Sequence, residues 1–183
     1  MDELIDFFHT IGKLKQTKRE GWVKMGISDV ESVADHSFRT AVMTMILAKK
    51  YGLDELKCIK MALLSDLAES VIGDLITERG KEEIASVDEK FEKERNAMKE
   101  LLAPLDDSDE LIALWEESER PTTPEGRFVK AMDKLEMAFQ ADEYKDPNNP
   151  DKLNEFFENA DKYMENEELK KIKEILDSLK GLS

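Results

Sequence analysis

Two acids, Asp66 and Glu69, fall inside an otherwise apolar stretch, residues 62–75, which reads Ala-Leu-Leu-Ser-Asp-Leu-Ala-Glu-Ser-Val-Ile-Gly-Asp-Leu. Between Met61 and Ile72 apolar residues take nearly all sides of a 3.6-residue repeat, so the pattern predicts a central helix enclosed by others. A buried carboxylate is costly unless a cation, a hydrogen-bond donor or a metal ion meets it, or its pKa rises. Asp74 follows at the exit of this helix. Asp133 is lodged in the same way among Phe128, Val129, Met132, Leu135 and Phe139, and His36 lies in the first turn of an earlier helix. Nothing local joins His36, Asp66 and Asp133, which come from three helices. On spacing alone His36 reads as a satisfied structural histidine. Each interior Asp is open to a salt bridge with Arg39, Arg127 or Lys130, to capping of another helix, or to metal ligation.

The elements that must position these side chains are helical. Gly (8) and Pro (5) are scarce, strand-like alternation is absent, and Leu, Glu, Lys, Ala and Met dominate, so the fold class is all-α. A first amphipathic helix is expected over residues 2–16, with Leu4, Phe8, Ile11 and Leu14 on one face and His9 structural. A cation-bearing loop over 18–28 carries Arg19, Trp22 and Lys24. Ser28 and Ser32 both offer N-caps to a helix from Val33 to Tyr51 that Gly52 stops, and Asp54 caps the next. A long charged helix spans 81–102, with Ile84, Val87, Phe91, Met98 and Leu101 as its stripe. Ser108 opens a shorter one, and Pro124 starts the helix that holds Asp133 and runs to about Tyr144. Two amphipathic helices, about 151–164 and 166–180, finish the chain.

At 183 residues there is length for one domain with a sizeable core. The single Cys58 excludes an internal disulfide, and with an acidic start and no apolar run near the ~20 residues of a membrane span, a cytoplasmic protein is expected. A net charge of −15 disfavours nucleic-acid polymers. A small phosphate ester needs only one or two cations and perhaps a metal.

Three segments then carry a resemblance: Glu31-Ser-Val-Ala-Asp-His36-Ser, the 62–75 stretch, and Phe128-Val-Lys-Ala-Met-Asp133-Lys-Leu-Glu-Met-Ala-Phe-Gln-Ala-Asp-Glu-Tyr144. Together they resemble the HD-domain metal-dependent phosphohydrolases, and within them the 5'-deoxynucleotidase branch. The likeness runs from about Leu4 to Tyr144, with Arg19-Glu-Gly-Trp22 and Leu114-Trp-Glu-Glu in the expected order between the anchors. Several segments in order are more specific than one short motif.

The resemblance implies a compact HD-domain fold of about six core helices, a catalytic core over about 4–144 and C-terminal helices over about 151–180. It implies one divalent metal ion, manganese, cobalt, magnesium or similar, held by His36, Asp66 and Asp133. Ser65 stands where the family has the histidine of its His-Asp pair. A hydroxyl is a poor substitute for imidazole, and a helical serine often bonds back to the carbonyl four residues earlier, here that of Met61, so a weakened metal site is expected. By position, Glu69 matches the acid near the attacking water and Asp74 the acid assigned to proton transfer. Arg19 matches the phosphate ligand and Trp22 the residue packed on the sugar, with Lys18 or Lys24 as alternatives to Arg19 and a core plug as the alternative for Trp22. The implied substrate is a deoxynucleoside 5'-monophosphate and the implied assembly a homodimer, for which apolar patches on the long charged helix or the C-terminal helices are candidates. An alternative is a catalytically inactive nucleotide-binding or regulatory module of the same fold. A purely structural helical domain poorly explains two interior Asp residues beside Glu69 and Asp74.

Overall fold

The computed structural model describes residues 1–75 and 86–181, and among these residues every regular element is a helix. In chain order these are α1 (Asp2–Ile11), α2 (Glu20–Lys24), α3 (Val33–Ala48), α4 (Glu55–Leu64), α5 (Glu69–Ile72), α6 (Val87–Leu102), α7 (Ser108–Glu119), α8 (Pro124–Glu143), α9 (Asn154–Tyr163) and α10 (Lys170–Gly181). The segment 81–85, including Ile84, lies outside the described residues.

Local chemistry sets the helix starts. Of the two candidate caps, Ser32 opens α3: its hydroxyl accepts from the Asp35 amide, and the Asp35 carboxylate accepts from the Ser32 amide, at 3.2 and 2.9 Å. Asp54 caps α4 through the Lys57 amide, and Thr123 caps α8 through the Gly126 amide, with Pro124 at the first helical position. Gly52 ends the α3 segment in the left-handed region at φ 69°.

The core forms where α3, α4 and α8 pack on one another, around Ala48, Cys58, Met61, Phe128, Met132 and Leu135. The C-terminal helices continue it on the other side of α8 through Phe157, Ala160, Ile172 and Leu176. A second apolar cluster, with Leu64, Ala68, Met98, Leu102 and Trp115, joins the end of α4 to α6 and α7.

Three expectations are corrected. The central helix is not continuous. After Leu64 the backbone bonds tighten to three-residue spacing, Leu67 to Leu64, Glu69 to Asp66 and Val71 to Ala68, and the chain turns before α5. In such a turn side chains three apart eclipse, so Asp66 and Glu69 come to one side. Nor is the stretch enclosed, since Leu63 and Val71 are 52% and 41% exposed. The first helix stops at Ile11, and of its expected apolar face Leu4 and Phe8 are exposed, Phe8 at 57%, while Phe7 packs on the second cluster; Leu14, in the following 3-10 turn, is buried. The 18–28 segment is not all loop, because α2 lies within it.

Where α7 leads into α8 the backbones nearly touch. A Cβ on Gly126 would stand 2.7 Å from the Glu117 carbonyl oxygen and 3.3 Å from Pro121. Gly126→Ala is therefore expected to destabilise the fold by about 1–3 kcal/mol. The denaturation midpoint in urea measures this, and an unchanged midpoint contradicts so tight a crossing.

Candidate active site

The crossing of α3, α4 and α8 brings together the acids and the histidine that spacing leaves unconnected. His36 sits in the first turn of α3 with its Nε2 2.9 Å from Asp133 Oδ1, on mid-α8, and 3.3 Å from Asp66 Oδ2, in the turn after α4. One donor atom from each of the three lies within 4.8 Å of the others. Arg19, the residue before α2, reaches the same place: its Nη1 is 3.4 Å from Asp66, 3.7 Å from Glu69 and 3.9 Å from Asp74. Asp74 follows Gly73, whose φ of 76° turns the chain out of α5, and its carboxylate accepts from the Glu20 amide at 2.8 Å.

Ser65 and Trp22 are placed differently from expectation. The Ser65 hydroxyl donates to the Ala62 carbonyl at 3.1 Å, rather than to Met61, whose carbonyl takes the Ser65 amide. Its own carbonyl accepts from the Trp115 indole at 3.2 Å. Trp22 is 1% exposed, its ring 4.0 Å from that of Phe156 and edge-on to Tyr144, while its indole N–H donates to Glu31 at 2.8 Å. No open face remains for a sugar, which corrects the expected contact. Trp22 instead anchors α2, and its backbone amide donates to the Arg19 carbonyl. Lys18, an alternative to Arg19, donates to the Val30 carbonyl.

Further charged residues surround this group: Lys134 and Glu136, which spacing did not single out, and Lys130 and Arg39, which were named only as salt-bridge partners for the interior acids. Lys134 pairs with the second oxygen of Asp133 at 2.8 Å, and Lys130 pairs with Glu119 at 3.1 Å. On the far side of the imidazole, Nδ1 meets Glu136 Oε2, and Arg39 Nε donates to Glu136 Oε1 at 2.8 Å. The available signal was register: Glu136 lies three residues after Asp133, and Arg39 three after His36, so each shares a helix face with a predicted ligand.

Burial and mutual repulsion shape the protonation of the site. For Glu69, burial first, then Asp66 and Asp74, push the pKa well above the usual carboxylate range. Asp133 goes the other way: burial alone would raise it, but Lys134 and the hydrogen bond to His36 hold it well below that range. Burial and Arg19 would both lower the His36 pKa, yet Glu136 and the hydrogen bonds to Asp133 and Glu136 bring it up to about 9. Burial likewise opposes the charge on Arg19, and Asp66, Asp74 and Glu69 outweigh it.

One imidazole nitrogen and two carboxylate oxygens, converging and largely buried, suit a divalent cation, and the oxygen-rich set favours harder ions such as manganese or magnesium. Glu69 Oε2 is buried and accepts no hydrogen bond among the described residues, an acceptor left open beside that donor set.

The HD domain family model matches residues 11–176. This chain belongs to the HD domain family. The match extends past Tyr144 and takes in α9 and the first part of α10. Among curated relatives of this HD-domain chain, the 5'-deoxynucleotidase HDDC2 of Dictyostelium discoideum is 41% identical over 173 residues, covering 87% of this chain and 89% of the relative. The protein of the same name from Homo sapiens is 38% identical over 160 residues, covering 86% and 76%. Among solved structures, a conserved hypothetical protein from Pyrococcus furiosus superposes with a TM-score of 0.79 at 34% identity, over 96% of this chain and 98% of that one.

A metal held by His36 must displace the proton from Nε2, and below about pH 9 that proton competes. The sign follows: apparent affinity for manganese rises with pH, by nearly ~10-fold per unit between pH 6.5 and 8.5 for one displaced proton. Isothermal titration in buffers across that range measures the slope, and a flat profile removes His36 from the ligand set.

Proposed function

We propose that this HD-domain chain is a metal-dependent 5'-deoxynucleotidase, hydrolysing deoxynucleoside 5'-monophosphates to deoxynucleosides and inorganic phosphate. The carrying observation is the convergence of His36, Asp66 and Asp133 with Arg19, Glu69 and Asp74, in a chain about two-fifths identical to relatives named 5'-deoxynucleotidase. His36, Asp66 and Asp133 would hold one divalent ion, manganese, cobalt or magnesium. Bound there, such an ion polarises a phosphoryl oxygen and lowers the pKa of a water beside the phosphorus.

The remaining steps belong to side chains. Arg19 keeps its charge at every working pH and offers a planar fork to two phosphate oxygens, exchanging its carboxylate partners for the substrate. Glu69, whose proton affinity is raised by burial and by two neighbouring acids, would take the proton of the attacking water once a bound cation offsets those acids and leaves it ionised. As the phosphorus–oxygen bond to the sugar breaks, the proton that Glu69 took from the water would be passed to the leaving 5'-oxygen on the side of Asp74, which the Glu20 amide fixes in place. Trp22 acts at a distance, by seating α2 and hence Arg19.

A homodimer and a cytoplasmic location belong to the same proposal. Exposed apolar side chains that would support self-association include Phe38, Met45 and Ile46 of α3 and Leu56 and Leu63 of α4, while the long charged helix offers Val87 and the C-terminal helices Tyr163. A second reading, a nucleotide-binding module without turnover, is favoured by the Ser65 hydroxyl, which is engaged with Ala62 and leaves three protein ligands.

Phosphate release from deoxynucleoside and ribonucleoside 5'-monophosphates, with manganese, cobalt or magnesium, separates the two readings. Turnover of the deoxy series is expected from this chain. Ser65→His is expected to bind manganese at least ~10-fold more tightly and to turn over faster, while Asp133→Ala falls at least ~100-fold. Silence from both the unaltered chain and Ser65→His, with each folded by circular dichroism, overturns the nucleotidase reading in favour of the binding module.

A further inference from the structure

The chain has two histidines, and His9 lies exposed on α1, away from the acids. With Ser65 at a ligand position, His36 is the sole imidazole of the proposed metal site, so the site depends heavily on how that ring is held. Its Nε2 can point at Asp66 and Asp133 only while something fixes the opposite edge. Glu136 does this: it is fully buried at 0% exposure, and one carboxylate oxygen meets His36 Nδ1. The other oxygen accepts from Arg39 at 2.8 Å. Arg39 is held in turn by Gln140 at 2.8 Å and by both oxygens of Glu143, at 2.7 and 2.8 Å. The contacts follow helix register on both sides. His36 and Arg39 are one turn apart on α3, and Asp133, Glu136, Gln140 and Glu143 descend one face of α8.

We infer that Glu136 is a positioning residue, which through its bond to Nδ1–H orients His36 so that Nε2 is presented as a metal ligand, with Arg39 holding Glu136 and Gln140 holding Arg39 in turn. A carboxylate behind a ligating histidine fixes the ring and makes the facing nitrogen a better donor. The Nδ1 proton stays on the ring and no bond is made or broken. Arg39 engages one oxygen of Glu136 and His36 the other, on the edge of the ring away from Asp66 and Asp133, so toward that pair Glu136 acts through His36. The inference rests on the metal-site reading above, and two independent measurements keep their failures apart.

The first is manganese affinity by isothermal titration for the unaltered chain, Glu136→Gln and Glu143→Gln. Glu136→Gln keeps the side-chain shape but gives up the charge, and a loss of about 10–100-fold is expected. Glu143→Gln alters only the outer, half-exposed partner of Arg39 and is expected to remain within about twofold. The second is the proton resonance of His36 Nδ1–H in 15N-labelled protein, read without metal. A carboxylate-bonded, buried N–H gives a slowly exchanging signal well downfield of the amides, whereas His9 exchanges with water. That signal is expected in the unaltered chain and in Glu143→Gln, and shifted or lost in Glu136→Gln. Should Glu136→Gln fail to fold, Glu136→Asp, one methylene short of the ring, carries both tests with the same direction. Unchanged affinity and an unchanged resonance in the Glu136 variant overturn the inference. A lowered melting temperature with affinity and resonance intact does so too, because that is the outcome of a merely structural role. If the unaltered chain takes up no manganese, the metal site fails as a reading, and the resonance alone decides whether Glu136 holds the ring.

Discussion

Like charge confined in a small, dry space is the constraint on which this architecture depends. Asp66, Glu69, Asp74 and Asp133 converge near one point, and carboxylates this close and this buried repel one another strongly. Glu69 meets the strain by holding its proton more tightly, while Asp133 stays ionised against Lys134 and His36. Arg19 neutralises the side that faces α2. A charge arrangement that is costly to fold is one that a bound cation would relieve, which is the use the proposed function makes of it. The apolar clusters around α4 and α8 supply the stability that lets such a group persist.

The same constraint explains the pairing of α3 with α8. Two long helices packed by apolar side chains alone tolerate small slides and rotations. Here the histidine and arginine of one meet four polar residues of the other in a fixed register, from buried Asp133 and Glu136 to the half-exposed Glu143. A slide by one turn would break each of these contacts, so the polar ladder specifies the register while the surrounding methyl and aromatic groups supply most of the burial energy.

Much of the fold was legible in the sequence because caps and turn glycines act locally. Ser32 with Asp35, Asp54, Thr123 with Pro124, and Gly52 marked helix ends through groups only a few residues apart. The break after Leu64 was not legible. Residues 62–72 keep an apolar pattern through the turn, and what ends the helix includes a long-range partner, the Trp115 indole on the Ser65 carbonyl. For Trp22 the resemblance pointed to a sugar and the residue type to a core plug, and what distinguishes them, Phe156 and Tyr144 packed against the ring, lies far along the chain. His36, Asp66 and Asp133 were named through resemblance and not through spacing, since only the helix crossing brings them within reach of one another. Glu136 went unremarked because an acid one turn from another acid ordinarily marks a solvated face.

The seating of Trp22 against Phe156 ties the two ends of the described chain to one charge balance. Arg19 stands before α2, and α2 is held by an aromatic ring on α9. An alteration in α9 that loosens this ring contact therefore reaches Asp66, Glu69 and Asp74 without touching them, because it frees the cation that offsets their repulsion.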